Sequence, residues 1–276
     1  MIKTKNCKHG KFTFFENDTV IGKSMNLYGE YCEWEIMCLE HIIEPSWHIL
    51  DIGANIGTHT IPFSKMVYRG HVYAFEPNEF SRKLLETNLL DNKVGNVTSF
   101  PYAISRGNGK AYMGNYNVSI PGNYGEVSLL DSAENMQLID TMRLDAIKFE
   151  RVDLIKMDIE GSEPEALKGA KHTLAKYLPT CFIECNKTEN LQHLYIRFKK
   201  LGYDKMYWCP VRNYNPDNFY GYDKNVFGSS GVINLLMISP NLKVKFDYLE
   251  PIIDETDTYQ KMYKRVSNNH KTAKLL

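Results

Sequence analysis

The stretch WHILDIGANIGTHT, residues 47–60, decides the fold of this chain. It joins an apolar run that ends at Asp51 to a turn containing Gly53 and Gly57, and a helical pattern follows. This order predicts a buried strand, a glycine turn and a helix, which begin a βαβ unit. The dinucleotide fingerprint G-x-G-x-x-G is absent. The turn alone therefore leaves three interpretations open: a phosphate site, a nucleoside site, or ordinary packing of a strand against a helix.

Outward from this turn, apolar runs alternate with helical stripes, which is typical of a mostly parallel α/β sheet with helices on both faces. We predict seven strands, at about residues 47–51, 71–77, 97–103, 153–158, 181–185, 206–209 and 232–238. We predict helices at about residues 58–68, from Asn78 onward, from a capping box at 162–165 onward, and at 188–201. The Gly-, Asn- and Ser-rich stretch 106–140 is interpreted as an elaborated loop.

The chain is expected to contain three parts. An N-terminal cap segment, 1–44, includes a helix near 31–43, the main domain spans 45–240, and a peripheral polar tail spans 241–276. Residues 210–230 carry five aromatic side chains in a long loop insertion. A loop of that length is typical of a functional segment, so we interpret it as a lid, with a dimer contact as the alternative.

Composition excludes several classes of protein. The 276 residues are 43% hydrophobic, and 33 basic residues balance 33 acidic ones, which disfavours binding to a nucleic-acid backbone. No apolar run reaches the roughly 20 residues that cross a bilayer, and the N-terminus lacks the apolar region of a secretory signal. We therefore expect a cytoplasmic protein without a membrane span. The six cysteines have no metal-ligand spacing, so we predict that they fill the core.

Polar residues follow the predicted strands where each strand ends, which is where open parallel sheets bind ligands. Glu76 ends the second strand and is placed to accept hydrogen bonds from two ribose hydroxyls. A carboxylate at this position suits a ribose without a 2′-phosphate. Read together with the glycine turn, Glu76 favours a nucleoside site over simple packing.

Several strings resemble the FkbM-type methyltransferases, a branch of the class I S-adenosylmethionine-dependent enzymes. They are DIGANIGTHT, AFEP, PYAIS, TMRLD and, most specifically, KMDIEGSEPEALKGA at 156–170. The likeness spans about residues 20–240 and includes NLYGEYCEWE before the sheet, with NPDNFYG and NVFG near its end. The resemblance implies a Rossmann-like class I methyltransferase fold with S-adenosylmethionine as the methyl donor.

The resemblance also implies a set of cofactor-binding residues. The glycine turn would line the methionine and ribose parts, Glu76 would bind the ribose, and its neighbours would lie beside the adenine. Two residues of the N-terminal segment would close over the cofactor, which is cationic at sulfur. The residues implied are Tyr28, Glu33, Asp51, Gly53, Ala54, Asn55, Gly57, Thr58, Glu76, Pro77, Asn78, Ala103 and Asp158.

Transfer to a hydroxyl needs an aligned acceptor and a base within hydrogen-bond reach of its oxygen. The nearest titratable groups by topology are Asp158, Glu160, Glu184 and His59. Each has a second interpretation: Asp158 could orient the cofactor, Glu160 could belong to the turn before the next helix, Glu184 could pair with Lys156, and His59 could be structural. The carboxylates offer hard oxygen ligands, but their spacing does not demand a metal, and none is predicted.

We therefore expect an S-adenosylmethionine-dependent O-methyltransferase that acts on a hydroxyl of a small molecule or glycan. By the family's acceptors, a sugar is the first choice; a homodimer is left open, and no nucleic-acid partner is expected. One alternative is an NAD-type dinucleotide-binding oxidoreductase, which the missing fingerprint disfavours. The other is a non-catalytic S-adenosylmethionine-binding module, which the intact acidic cluster after the fourth strand disfavours.

Overall fold

A computed structural model describes residues 2–114, 117–125, 129–130, 136–185 and 188–267. Its strands are β1 (Ile2–Cys7), β2 (Gly10–Phe15), β3 (His48–Ile52), β4 (His71–Phe75), β5 (Val97–Phe100), β6 (Ala103–Ile104), β7 (Gly109–Gly114), β8 (Leu129–Leu130), β9 (Met136–Met142), β10 (Leu154–Met157), β11 (Thr180–Glu184), β12 (Met206–Arg212), β13 (Gly231–Met237) and β14 (Glu250–Pro251). Its α-helices are α1 (Ile21–Leu27), α2 (Glu33–Glu40), α3 (Thr60–Met66), α4 (Glu79–Asp91), α5 (Glu163–Lys168), α6 (Lys171–Tyr177), α7 (Thr188–Lys200) and α8 (Tyr259–Ser267). Within these ranges, every helix falls short of the length and apolarity that a bilayer crossing requires.

The central sheet has the strand order β14-β12-β13-β11-β10-β3-β4-β5. Strands β11, β10, β3, β4 and β5 are parallel, and β13 runs antiparallel to both of its neighbours. This confirms the predicted mostly parallel Rossmann-like fold, with the two-residue strand β14 added at one edge. In the register of β3 and β10, Lys156 lies opposite Asp51, so the ends of these strands coincide.

Helices cover both faces of the sheet because each presents one apolar side to it. Residues of α5, α6 and α7 form a buried cluster with one face of β10 and β11, including Leu167, Leu174 and Phe198. Residues of α2 and α3 pack against the opposite face, including Leu39 and Phe63. The six cysteines are free and buried, which confirms that they fill the core.

The insertion between the third and fourth predicted strands differs from the expected loop. Strands β7 and β9 pair antiparallel, β6 pairs with β9, and β8 pairs with β7, so a second sheet forms. The sequence interpretation was wrong here because glycine, asparagine and serine are typical of loops. The strands that pair are also far apart in the chain, so no local pattern indicates their pairing. Residues 115–116, 126–128 and 131–135 lie outside the described residues.

Two local predictions at helix starts are also corrected. Helix α2 begins at Glu33, because Cys32 adopts a left-handed conformation with φ of 46°. At α5, Ser162 makes no capping hydrogen bond with its side chain. Glu163 replaces it, since its Oε1 accepts from the backbone N–H groups of Ile159 and Gly161, each at 3.1 Å. The predicted proline in the first turn, Pro164, is present.

Candidate functional site

A cavity of about 270 Å³ opens at the carboxyl ends of β3, β4 and β10. The turns that follow these strands form its walls, as expected for a ligand site in an open parallel sheet. Twelve of the residues predicted for the site line it: Gly53, Ala54, Asn55, Thr58, His59, Glu76, Pro77, Asn78, Ala103, Asp158, Glu160 and Glu184.

The glycine turn brings the three strand ends together. The backbone N–H groups of Gly53 and Ala54 both donate to the carbonyl oxygen of Phe75, at 3.0 Å. Gly53 has a φ of +84°, and a Cβ atom there would lie 1.9 Å from the carbonyl oxygen of Asp158. Only glycine fits this close approach. The glycine turn therefore lies in close contact with the ends of β4 and β10.

Glu76 is a buried acceptor on the cavity wall. Its Oε2 accepts from the N–H of Asn55 and its Oε1 from the N–H of Asn78, both at 2.8 Å. Burial raises the pKa of this carboxyl to about 7, and the two N–H groups only partly offset that rise. Each carboxylate oxygen has a second lone pair, so Glu76 can accept two further hydrogen bonds from a ligand.

Lys156 is buried between two carboxylates. Its Nζ lies 3.7 Å from Oδ1 of Asp51 and 3.6 Å from Oδ2 of Asp158, and it donates to the carbonyl oxygen of Gly53 at 3.3 Å. Burial lowers the pKa of this amine, but the surrounding carboxylates, Asp158 and Asp51 foremost, raise it above its usual value. Lys156 is thus an ion-paired cation that links β3 and β10.

Asp51 was implied as a cofactor contact, but the structure places it behind the glycine turn. Its side chain is fully buried, and its Oδ2 accepts from the hydroxyl of Thr60 at 2.6 Å. It is not among the residues that line the cavity. Asp51 therefore fixes the turn and the start of α3 from within the core.

Three carboxylates lie together after β10 and β11. Oxygens of Asp158, Glu160 and Glu184 lie within 4.8 Å of one another, a set that could hold a hard cation such as Mg²⁺. Burial, then the charges of Asp158 and Glu160, hold the pKa of Glu184 well above its usual range. Glu184 is also hydrogen-bonded to Asp158, so the two carboxyl groups titrate as a coupled pair. All three side chains line the cavity.

Glu160 adopts a left-handed backbone conformation, with φ of +54°. Such a conformation is costly for a residue other than glycine and persists only where surrounding structure enforces it. Here it lies in the turn between Asp158 and the start of α5, on the cavity wall. This supports the interpretation that Glu160 belongs to the turn, and it also presents the side chain to the cavity.

His59 lines the cavity but is anchored on its far side. Its Nε2 lies 2.9 Å from Oε2 of Glu35, without the alignment of a hydrogen bond. The other oxygen of Glu35 accepts from the side-chain amide of Asn234 at 2.9 Å. Because Glu35 is itself buried, this contact holds the imidazole ring in place. Both interpretations of His59, catalytic and structural, are compatible with the contact.

The structure does not place Tyr28 on the cavity wall. Its hydroxyl donates to the carbonyl oxygen of Lys224 at 2.9 Å and accepts from the N–H of Val226 at 3.0 Å. Its ring centroid lies 5.4 to 6.0 Å from the rings of three loop residues, Tyr214, Tyr222 and Phe227. The aromatic loop therefore docks on the N-terminal segment, and its aromatic rings do not line the cavity as a lid would.

Glu33 and Gly57 also lie away from the cavity. Glu33 pairs with Lys8 at 3.0 Å and with His9 at 2.8 Å, on the turn of the N-terminal hairpin. Gly57 has a φ of +91°, and a Cβ atom there would lie 2.7 Å from Leu85. Its role is close packing against α4. Glu35, two residues further along α2, instead contacts His59 on the cavity wall.

Several cavity residues were not predicted. Tyr31 lies in the N-terminal segment already singled out, and its ring meets His59 edge-on at 6.4 Å. Asn213 and Ser230 flank the aromatic loop, and a hydrogen bond of 3.3 Å joins their side chains. Asn123 and Tyr124 come from the insertion. The insertion contacts the N-terminal segment through a hydrogen bond of 2.9 Å, which the N–H of Thr19 donates to the carbonyl oxygen of Gly122.

The chain is similar to known methyltransferases. The family model described as Methyltransferase FkbM domain matches residues 51–205. A curated protein of Haloferax volcanii named hexuronic acid methyltransferase AglP is 30% identical over 128 residues, which are 45% of this chain and 50% of that protein. The match thus spans half the length of this relative.

Solved structures show weaker likeness. The crystal structure of methyltransferase FkbM from Methylobacillus flagellatus KT is 21% identical, with a TM-score of 0.47 over 70% of this chain and 44% of that chain. M. jannaschii TYW2 in complex with AdoMet is 14% identical, with a TM-score of 0.46 over 86% of this chain and 84% of that chain.

Proposed function

This chain belongs to the FkbM-type methyltransferase family, and from that premise we propose that it transfers the methyl group of S-adenosylmethionine to a hydroxyl oxygen of a sugar. One observation carries the proposal: a single cavity brings together Glu76, a buried acceptor of hydrogen bonds, and Asp158, a carboxylate placed to accept a proton. The first suits a ribose, and the second suits the acceptor hydroxyl.

The cofactor half of the cavity fits a nucleoside. Glu76 lines the cavity, and the N–H groups of Asn55 and Asn78 hold its two oxygens in place. The turn at Gly53 and Ala54 lies beside it and lets a ligand approach the backbone closely. When bound, S-adenosylmethionine supplies an activated methyl group on a cationic sulfur. Glu76 would hold the ribose, and the glycine turn would lie along the methionine part.

The acceptor half is polar and supports a sugar hydroxyl. Asp158 would accept the hydroxyl proton as the new bond forms, and Lys156 would balance its charge before the transfer. Asn213 and Ser230 supply uncharged groups that could bind neighbouring hydroxyls. The name of the Haloferax relative adds support for a carbohydrate acceptor, although the match covers half of that protein.

We expect S-adenosylhomocysteine to bind more tightly as pH rises from about 6 to about 8. The pKa of Glu76 is raised to about 7, so the carboxyl is protonated below that pH and ionised above it. Only the ionised form accepts both ribose hydroxyls, and affinity should fall up to about tenfold per pH unit below the pKa. Titration calorimetry at several pH values would measure this. Glu76→Gln should weaken binding by roughly tenfold to a hundredfold and abolish the pH dependence.

The matched control is Glu79→Gln, which alters an exposed glutamate paired with Lys83 four residues along the chain and should leave binding unchanged. Tight binding of NAD without binding of S-adenosylhomocysteine would instead favour the oxidoreductase alternative. Unchanged affinity in Glu76→Gln would remove Glu76 from the ribose site.

The acceptor is tested by a screen of sugars, glycans and small hydroxyl compounds with methyl-labelled S-adenosylmethionine. Transfer of label to a sugar hydroxyl is the expected result. Cofactor binding without transfer to any acceptor would favour the non-catalytic binding module. A cytoplasmic location and a homodimer also stay predictions, and fractionation and light scattering would test them.

A further inference from the structure

A groove lies between α5, α6 and α7, and buried leucines of these helices form part of its floor. It consists of two adjoining cavities of about 330 and 230 Å³, which share His193 and Arg197. Neither cavity shares a residue with the candidate active site. The apolar residues of its wall are Pro164, Leu167, Leu174, Leu194, Ile196 and Leu201.

The charged residues of the groove all have one sign among those that the structure describes. They are Lys168, Lys171, Arg197 and Lys200, and no carboxylate of a described residue lines either cavity. Lys168 pairs with Glu165. The other three form no ion pair with any part of the chain that is described. The groove therefore combines an apolar wall with unpaired positive charge.

Helix position does not account for all of this charge. Cations in the last turn of a helix are favoured by the helix dipole, which suits Lys200 at the end of α7. Lys171, however, is the first residue of α6, where the dipole disfavours a cation. Burial also lowers the pKa of the Arg197 guanidinium, and no described carboxylate offsets that cost. An anion bound beside these residues would stabilise both.

The ligand must match both properties of the groove. An apolar chain suits the part of the wall formed by Pro164, Ile196 and Leu201, whose side chains stay at least partly exposed beside the buried leucines. A phosphate suits the unpaired lysines and arginine, whose donors bind phosphate oxygens. An acidic peptide would bind only the basic side chains, because the apolar wall offers few hydrogen-bond partners for the polar groups of a peptide backbone.

We propose that this groove binds an anionic phospholipid of a membrane surface. One hydrocarbon chain lies along Ile196 and Leu201, and the phosphate lies at Lys171, Arg197 and Lys200. The chain would thereby associate with the membrane peripherally, through its α6 and α7 side. This proposal is independent of the proposed methyl transfer.

Vesicle binding of the full chain tests the proposal. Phosphatidylcholine vesicles that contain phosphatidylglycerol should bind the protein, pure phosphatidylcholine vesicles should bind it far less, and added salt should weaken binding. Each basic residue near an anionic membrane contributes about fivefold, so Arg197→Gln combined with Lys200→Gln should weaken binding roughly 25-fold. Ile196→Asn, at a half-exposed side chain on the groove wall, should weaken it through the apolar part alone.

The control removes the same charge elsewhere. Lys148→Gln combined with Lys243→Gln neutralises two exposed lysines outside both cavities, and it should leave vesicle binding unchanged. Equal loss in the control and groove variants would overturn the proposal, because it would indicate net charge alone. Equal binding to neutral and anionic vesicles, no vesicle binding, or binding of polyglutamate in place of vesicles would overturn it as well.

Discussion

Replacing Asp158 with asparagine should lower kcat for methyl transfer by about 10²- to 10⁴-fold, the usual contribution of a general base. The affinity for S-adenosylhomocysteine should change little, because Asp158 accepts a proton from the acceptor in this scheme and Glu76 holds the ribose. Single-turnover transfer of labelled methyl, together with calorimetry on the same variant, would measure both quantities. The expected result is a loss in kcat that is much larger than the loss in cofactor binding.

Variants at the neighbouring carboxylates identify the base. Glu184→Gln should cost less than Asp158→Asn, because a glutamine amide can keep the hydrogen bond to Asp158. Glu165→Gln, at an exposed glutamate paired with Lys168, is the control and should leave kcat unchanged. Lost cofactor affinity in Asp158→Asn would assign that residue to the cofactor site. An unchanged rate would move the base to Glu160 or His59.

Replacing Lys156 with methionine should lower the free energy of unfolding by about 3–5 kcal/mol, the typical cost of leaving a buried charge unpaired. Asp51 is fully buried, and Lys156 is the nearest cation to its Oδ1, at 3.7 Å. Without the amine, the hydrogen bond from Thr60 is the one side-chain partner left to the Asp51 carboxylate among the described residues. Urea unfolding followed by circular dichroism would measure the change.

A double variant separates charge from packing in this pair. Lys156→Met with Asp51→Asn removes both charges, so it should recover much of the lost stability. Lys168→Met breaks an exposed ion pair and should change stability only slightly. If Lys156→Met alone were as stable as the parent chain, Asp51 would not depend on Lys156 for its counter-charge.

Local pattern was sufficient for the central sheet and for part of the site. The apolar run before Asp51, the glycine turn and the helix start at Asn78 predict adjacent structure, because each signal lies within a few residues of the element it describes. Asn78 indeed caps α4, with its side chain accepting from the N–H groups of Phe80 and Ser81. Glu76 could be predicted for the same reason, since it directly follows a strand.

Side chains brought in from distant segments could not be predicted in the same way. In the N-terminal segment, the left-handed conformation of Cys32 sets which residues face the cavity. Tyr31 lines the cavity and Glu35 contacts His59 behind the wall. Tyr28 instead contacts the aromatic loop, and Glu33 contacts the N-terminal hairpin. A rotation of one or two residues along a helix changes the face, and no local pattern records it.

For this protein, the chain order of residues already implies the Rossmann-like sheet, the glycine turn and the carboxylates at the strand ends, because periodicity and turn chemistry act over short distances. The environment of each of those carboxylates depends on burial and on contacts between distant strands. Asp51 lies in the core beside Lys156, whereas burial and the neighbouring Asp158 raise the pKa of Glu184. Desolvation and charge pairing are properties of the packed structure, so only the tertiary structure distinguishes these carboxylates from one another.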